Sequence, residues 1–402
     1  MDEAATPAEA HDVLGRALTA LQDLLGEDWE VSLQPEHQSE QFMPAPTADL
    51  GWDAVVRITS KNDSMFTELL VDVRGSVTPR DVAGYISSTA LLVRRVNAYT
   101  RLVIFSPWIS PRTQEELRRR EIGYVDLTGN ISLRVPRPAI IIQTQGADRA
   151  PARHRSPSSK PLLTGPRAGR LVRILTDVSP PYRATELAKR SNLSLPYVSR
   201  LLDTLEDQLL IERDGKVIVS VEWQQLLRTR ASHLDLMKQT SPQGMLAPNG
   251  VQAVLDRLVK LNGLVAGGEV LVTGSYAARP VAPVAVGGQL MLYVTQDPLH
   301  FSDVAHELRV MPVPESADVL FLQPSDLSVV QRPRRYDRYR QVGLSQLVLD
   351  CLSGPGRLPA EGEKVLEFMA AEERAWRIPD ISRLRHQDDL DAFPGAADSS
   401  LF

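Results

Sequence analysis

The chain has 402 residues, of which 43% are hydrophobic and 24% charged; at roughly 150 residues per domain this length implies two or three domains, and the composition excludes a mostly disordered chain. The 45 Lys and Arg against 50 Asp and Glu leave a formal charge of -5, which argues against a surface that is basic throughout and so against wholesale coating of nucleic acid. A lone Cys351 excludes an internal disulfide and any zinc site built from cysteine pairs. No apolar run reaches 18 residues, and the start of the chain, with Asp2, Glu3 and Glu9, lacks the basic and apolar stretches of a secretory signal. A cytoplasmic protein with no membrane partner is expected.

From Ala8 to Leu25, Val13, Leu14, Ala17, Leu18, Leu21, Leu24 and Leu25 recur at helical spacing and predict an amphipathic opening helix. Short β-branched segments bounded by turn residues predict strands at Ala54–Ile58, Leu69–Val73, Leu102–Phe105 and Ile131–Val135, with a helix over Pro79–Asn97 between the second and third. Strands separated by helices give an α/β domain ending near Ile142. Between Gln145 and Arg170 the periodicity stops and Pro, Ser, Gly and Arg dominate, the composition of a linker. From Arg149 to Thr176 seven basic residues (Arg149, Arg153, Arg155, Lys160, Arg167, Arg170 and Arg173) stand with no acid among them, so the average charge hides a basic segment.

That segment leads into the clearest pattern in the chain. Leu171, Ile174 and Leu175 mark one helix, Ala184–Arg190 a second, and Leu195–Asp207 a third with Val198, Leu201, Leu202 and Leu205 on one face. Ser194 stands where an N-cap belongs and Pro196 in the first turn, where its missing N–H is harmless. Leu209–Arg213, the turn Asp214-Gly215 and Lys216–Val221 then predict a hairpin. Three short helices and a hairpin make a winged helix-turn-helix, whose third helix enters the major groove of double-stranded DNA. Ser194, Tyr197, Ser199, Arg200 and Thr204 become the candidate base or phosphate contacts, Arg200 foremost. Lys189, Arg190, Arg213 and Lys216 are candidate phosphate contacts, joined by Arg167 and Arg170 of the basic segment. A homodimer reading paired half-sites is expected.

The N-terminal region resembles the restriction-endonuclease-like superfamily and its Mrr-like branch. That family places an acid on one strand and an acid-x-Lys pair on the next, the carboxylates holding a divalent cation. Here the matching positions are Asp53 in GWDAVVRI and Asp72 with Arg74 in LLVDVRG. Arginine replaces the lysine and is a poor substitute beside an attacking water, so a degenerate domain is expected and nuclease chemistry is the rival reading. The stretch EIGYVDLTGN resembles the end of such domains, and its Gly129 and Asn130 tolerate left-handed backbone.

Helices are predicted at Trp223–Met237 and Val251–Leu261, and the sequence LVTGSYAARPVAPVAVGGQLMLYV then resembles a nucleotidyltransferase fold. Gly274 and Ser275 match its first element, but Gln289, Leu290 and Met291 supply no carboxylate where two are required, so no transferase activity is expected. The order of wing, strand Leu271–Thr273, strand Leu290–Val294 and LDCLSGPGR resembles the AbiEi-type antitoxins, transcriptional regulators of type IV toxin-antitoxin systems. The long N-terminal domain departs from many of these proteins, and with it a cognate toxin partner comes into question.

The basic run from Arg332 to Arg340, RPRRYDRYR, suits either a phosphate grip or a loop salt-bridged to nearby acids. Cys351 reads as a core residue, and the seven histidines show no metal-ligand spacing. The acidic end closes in DSSLF, where Leu401 and Phe402 resemble peptides that enter the pocket of the bacterial sliding clamp. The expected fold is α/β multidomain: a degenerate restriction-endonuclease-like domain over 1–144, a basic linker over 145–168 and a winged helix-turn-helix over 169–235. A nucleotidyltransferase-like AbiEi-type domain follows over 236–378, then a flexible acidic tail over 379–402. The expected function is a DNA-binding regulator without cofactor or metal; a metal-dependent nuclease and a repair or phage-defence adaptor are the alternatives.

Overall fold

The structure, a computed structural model, describes residues 7–34, 52–85, 100–148, 163–282, 287–295, 300–324, 326–336 and 339–384. The chain divides into two compact units, the first of residues 1–159 with 207–209 and the second of residues 160–206 and 210–402. Among the described residues no helix is long and apolar enough to cross a membrane.

The first unit opens with α1 (Pro7–Leu25) and β1 (Trp29–Gln34), followed by β2 (Ala54–Ser60), β3 (Phe66–Val73), α2 (Pro79–Tyr85), β4 (Arg101–Ser106), α3 (Pro111–Arg119), β5 (Gly123–Asp126), β6 (Ile131–Val135) and β7 (Ile140–Thr144). The seven strands lie side by side in chain order. Antiparallel meanders at both ends flank the parallel steps β3–β4 and β4–β5, and α2 and α3 fall at those steps because parallel neighbours need a crossover. Alternation along β4 sorts the core. Val103 and Phe105 join Val13, Ala17 and Leu21 of α1, whereas Leu102 and Ile104 join Val82 of α2 and Leu117 of α3. The opening helix and all four expected strands are present. Of the helix expected over Pro79–Asn97, residues 79–85 are helical and residues 86–99 lie outside the described residues, as do residues 149–162 of the basic segment and the DSSLF end.

The second unit begins with α4 (Pro166–Asp177), β8 (Tyr182–Arg183), α5 (Ala184–Ser191), α6 (Leu195–Asp207), β9 (Ile211–Asp214), β10 (Val217–Val221) and α7 (Trp223–Ala231). It continues through α8 (Leu236–Thr240), β11 (Gln243–Leu246), α9 (Val251–Lys260), β12 (Leu264–Val265), β13 (Gly268–Thr273), α10 (Gly274–Ala278), β14 (Leu290–Val294), α11 (Phe301–Leu308), β15 (Met311–Pro312) and β16 (Val319–Leu322). It closes with β17 (Arg334–Tyr336), β18 (Tyr339–Gln341), α12 (Leu344–Leu352), α13 (Leu358–Ala371) and the short α14 (Glu373–Trp376). A small sheet runs β8-β10-β9, and a large mixed one β15-β11-β16-β14-β13-β18-β17. The helix expected over Trp223–Met237 is two helices, because the Asp235 carboxylate accepts the Lys238 N–H and starts α8 afresh.

One hydrophobic core extends from Leu163 to Leu384 and takes in both sheets. Trp223 meets Trp376 edge-on at 5.2 Å between ring centres, Arg228 pairs with Glu363 at 2.7 Å, and Arg377 donates to the carbonyls of Leu175, Thr176 and Val178 at the end of α4. The boundary expected at residue 235 therefore separates two parts of one packed body. Of the basic run, Arg332 pairs with Asp177, Arg340 with Glu269, Arg334 donates to the Ala277 carbonyl and exposed Arg335 to Asn262; these contacts favour the salt-bridged reading, while Arg338 lies outside the described residues. Across the same body Arg170 of α4 grips Asp326 through Nε and Nη2, the latter at 2.6 Å. Although burial favours the neutral acid, the Arg170 hydrogen bond and charge hold the Asp326 carboxyl below the usual range. Arg170→Ala should destabilise the protein by about 1–2 kcal/mol in urea unfolding, and adding Asp326→Asn should cost less than the two single losses summed.

Candidate nucleic-acid interface

The helix-turn-helix follows from local chemistry. The Glu186 carboxylate accepts the Arg183 N–H at 2.7 Å and closes the start of α5. Asn192 ends that helix in the left-handed region, φ 52° and ψ 47°, a conformation asparagine tolerates. The Ser194 carbonyl then accepts the Val198 N–H at 3.0 Å, which begins α6 at the expected place. Val198, Leu201, Leu202 and Leu205 are fully buried and leave the opposite face outward. The wing is the β9–β10 hairpin, with Asp214 opposite Val217 and Gly215 and Lys216 at its tip; Gly215 has φ 58°.

The candidate contacts fall into two groups. Ser194 and Arg200 are exposed, and Ser199 and Thr204 are partly exposed, on or before the outward face of α6. Arg200 folds back only as far as the Pro196 carbonyl, and Thr204 Oγ1 donates to the Arg200 carbonyl, so both stay on the helix surface. Tyr197 is half-buried; burial pushes its phenol up, opposed by Arg167, Arg230 and Arg200 nearby. Lys189, Lys216 and Arg167 are exposed and make no ion pair among the described residues.

Three further candidates are held within the protein. Arg213 is bound by Glu206, and at 2.8 Å by Asp203; Arg190 donates to the carbonyls of Leu384 and Ser382; Arg170 holds Asp326. Their ligands are protein oxygens, so they position the fold around the interface. Sequence reasoning missed Arg183, an exposed cation at the end of β8 and directly before α5, since a two-residue strand shows no period.

In the first unit the candidate metal residues do come to one end of neighbouring strands. Asp53 Oδ2 accepts the Val73 N–H at 2.7 Å, and buried Asp72 pairs with Arg74 at 2.9 Å. The two acids thus hold a backbone amide and a guanidinium. Among the described residues no group of three or more His, Cys, Asp or Glu could hold a metal ion. The YVDLTGN stretch is a hydrogen-bonded turn around buried Asp126; Gly129 has φ 97°, while Asn130 does not adopt positive φ, contrary to expectation. In the large sheet Gly274 and Ser275 open α10 after β13, and β14 returns antiparallel as LMLYV with no carboxylate on it.

The family model of the IclR helix-turn-helix domain matches residues 166–215, the span of α4, α5, α6 and the first strand of the wing. These residues form a helix-turn-helix of the kind that binds DNA in transcriptional regulators. No curated protein and no solved structure matches the chain.

Proposed function

We propose that the protein is a sequence-specific transcriptional regulator of the AbiEi-antitoxin type, reading double-stranded DNA with α6 and the wing. The observation that carries this reading is the outward set of Ser194, just before α6, and Ser199, Arg200 and Thr204 on it, flanked by the exposed cations Lys189 and Arg167, all within the span matched by the IclR helix-turn-helix domain, with exposed Lys216 one residue beyond it. The AbiEi part rests on the order of wing and C-terminal mixed sheet and on a β14 without carboxylates. In this reading the flanking folds keep a shape without its chemistry: Arg74 occupies the place of a catalytic lysine and the protein is not an enzyme. It acts as a homodimer on paired half-sites. A toxin, or a sliding clamp engaged through Leu401 and Phe402, would be an additional partner.

Electrophoretic shifts with genomic fragments test the proposal. Arg200→Ala should weaken binding by about 1–2 kcal/mol, and Lys216→Ala should weaken all sequences alike and lower the slope of log affinity against log salt by about one. No binding at low salt, or binding untouched by both substitutions together, would sink it. Mapping the bound sites across the genome then gives the operator, and one site beside the protein's own gene means autoregulation.

A further inference from the structure

Two arginines of the second unit are buried beside one cavity. Arg173 on α4 is 5% exposed and Arg230 on α7 is 7% exposed. On each, Nε and Nη1 are buried without a hydrogen-bond partner among the described residues. Arg173 donates through Nη2 to the Gln331 carbonyl at 2.8 Å; Arg230 makes no ion pair among the described residues. Both line a cavity of about 40 Å³ whose other walls include Gly169, Tyr293, Gln346 and Asp350, room for roughly two or three waters or one small oxyanion.

A guanidinium stays protonated, and an unpaired one in the interior is among the least favourable groups a fold can carry. Burial pulls Arg230 down only to about 10, so it is cationic at neutral pH. Asp177, Asp350 and Asp326 act favourably on the Arg173 charge but not on Arg230, and each is already engaged, Asp177 by Arg332. Asp350 accepts from Thr273, Tyr293 and Gln346 at 2.6, 2.9 and 2.7 Å, and Asp326 is held by Arg170. The backbone is shaped around this cation: a Cβ on Gly169 would lie 2.7 Å from Arg230 Nη2. The first turn of α4 adds its own positive end, since Gly165 offers no side-chain cap.

We propose that this cavity is an effector site that takes the carboxylate or phosphate group of a small anion between Arg230 and Arg173. Burial beyond nine-tenths of both side chains excludes a nucleic-acid backbone as the occupant. The site joins the reading module to the large sheet: α4 and α7 flank it on one side and β14 and α12 on the other, and Tyr197 of the recognition helix feels the Arg230 charge. An effect of the anion on DNA binding rests on the proposed function; the anion site itself does not.

Full-length protein in chloride is titrated separately with inorganic phosphate and with acetate at constant ionic strength, read by thermal unfolding and calorimetry. At least one anion should raise the unfolding midpoint saturably. A response to phosphate marks a phosphoryl ligand, and one to acetate alone marks a carboxylate. Arg230→Met should weaken that binding tenfold or more, and Gly169→Ala, which keeps the charge and crowds it, should do the same. Lys364→Ala, on the exposed face of α13, should leave it unchanged. No saturable response to either anion overturns the proposal, as does an undiminished response in both Arg230→Met and Gly169→Ala. A wild-type protein that binds the anion but no DNA refutes the regulator reading and leaves the anion site standing.

Discussion

Asp126→Ala should remove about 3–5 kcal/mol from the stability of the first unit, enough to leave it largely unfolded if it sits near the lower end of ordinary domain stability. Asp126 is 2% exposed, and its carboxylate accepts five hydrogen bonds. The Ile109 N–H and Asn130 Nδ2 reach Oδ2 at 3.0 and 2.9 Å. The Thr128 N–H, Thr128 Oγ1 and Asn130 N–H reach Oδ1 at 2.8, 2.7 and 3.0 Å. Through Asn130 the network extends to the Gly146 N–H and the Ala147 carbonyl beyond β7. Removing the carboxylate takes the acceptor from donors in two chain segments at once, Ile109 on one side and Thr128 with Asn130 on the other, and bonds to a charged acceptor are the stronger kind. Asp126→Asn should be milder, since one oxygen remains while the new amide faces donors. Urea unfolding followed by circular dichroism gives both values; a loss below about 1 kcal/mol for the alanine variant would contradict the structural role assigned to the turn.

The second large effect concerns pH. Burial pushes the Asp350 carboxyl up to about 6, and the Thr273, Gln346 and Tyr293 hydrogen bonds and the Arg173 charge only partly oppose it. A folded-state value above the unfolded value means that the folded form binds the proton more tightly. This group therefore favours folding at low pH, and its contribution falls as pH rises from about 4 to about 6 and then stays level. The difference across that window is about 3 kcal/mol. Asp350→Asn should remove this downward slope, so the stability of the variant relative to wild type should climb by about that amount between pH 4 and pH 6. A difference that stays flat across the window would show that Asp350 keeps an ordinary carboxylate affinity for protons. Taking the difference cancels groups of opposite sign such as Asp326, whose lowered value makes its contribution disappear as pH falls.

The reading helix was legible to the residue: Leu195–Asp207 follows from the three-four spacing of Val198, Leu201, Leu202 and Leu205, because one fully buried stripe leaves a single helical phase. The hairpin after it followed from its turn residues. Strands such as β11, β15 and β17, two to four residues long, were hidden because so short a segment shows no period. The ligands of Arg170 and Arg190 lie 156 and more than 190 residues away, so composition ranked these side chains with Lys189 and Lys216, although only the latter face outward. Arg230 was the deepest omission. Arg228 and Arg230 are two positions apart on α7 and so cannot share a face; with Arg228 reaching Glu363, its neighbour is turned into the core. That spacing was the available signal.

The common core from Leu163 to Leu384 has a consequence for how the reading module fails. A reader on a tether can melt and reform while the rest of its protein stays folded. Here Trp223, Arg228 and the end of α4 are bound into the large sheet's layer, so loss of α6 and loss of the sheet belong to one cooperative transition. Heat or proteolysis that opens either part surrenders both, and DNA occupancy should then fall over the same narrow temperature interval as the second unit's tertiary signal, with no folded species present that has let go of DNA through unfolding alone.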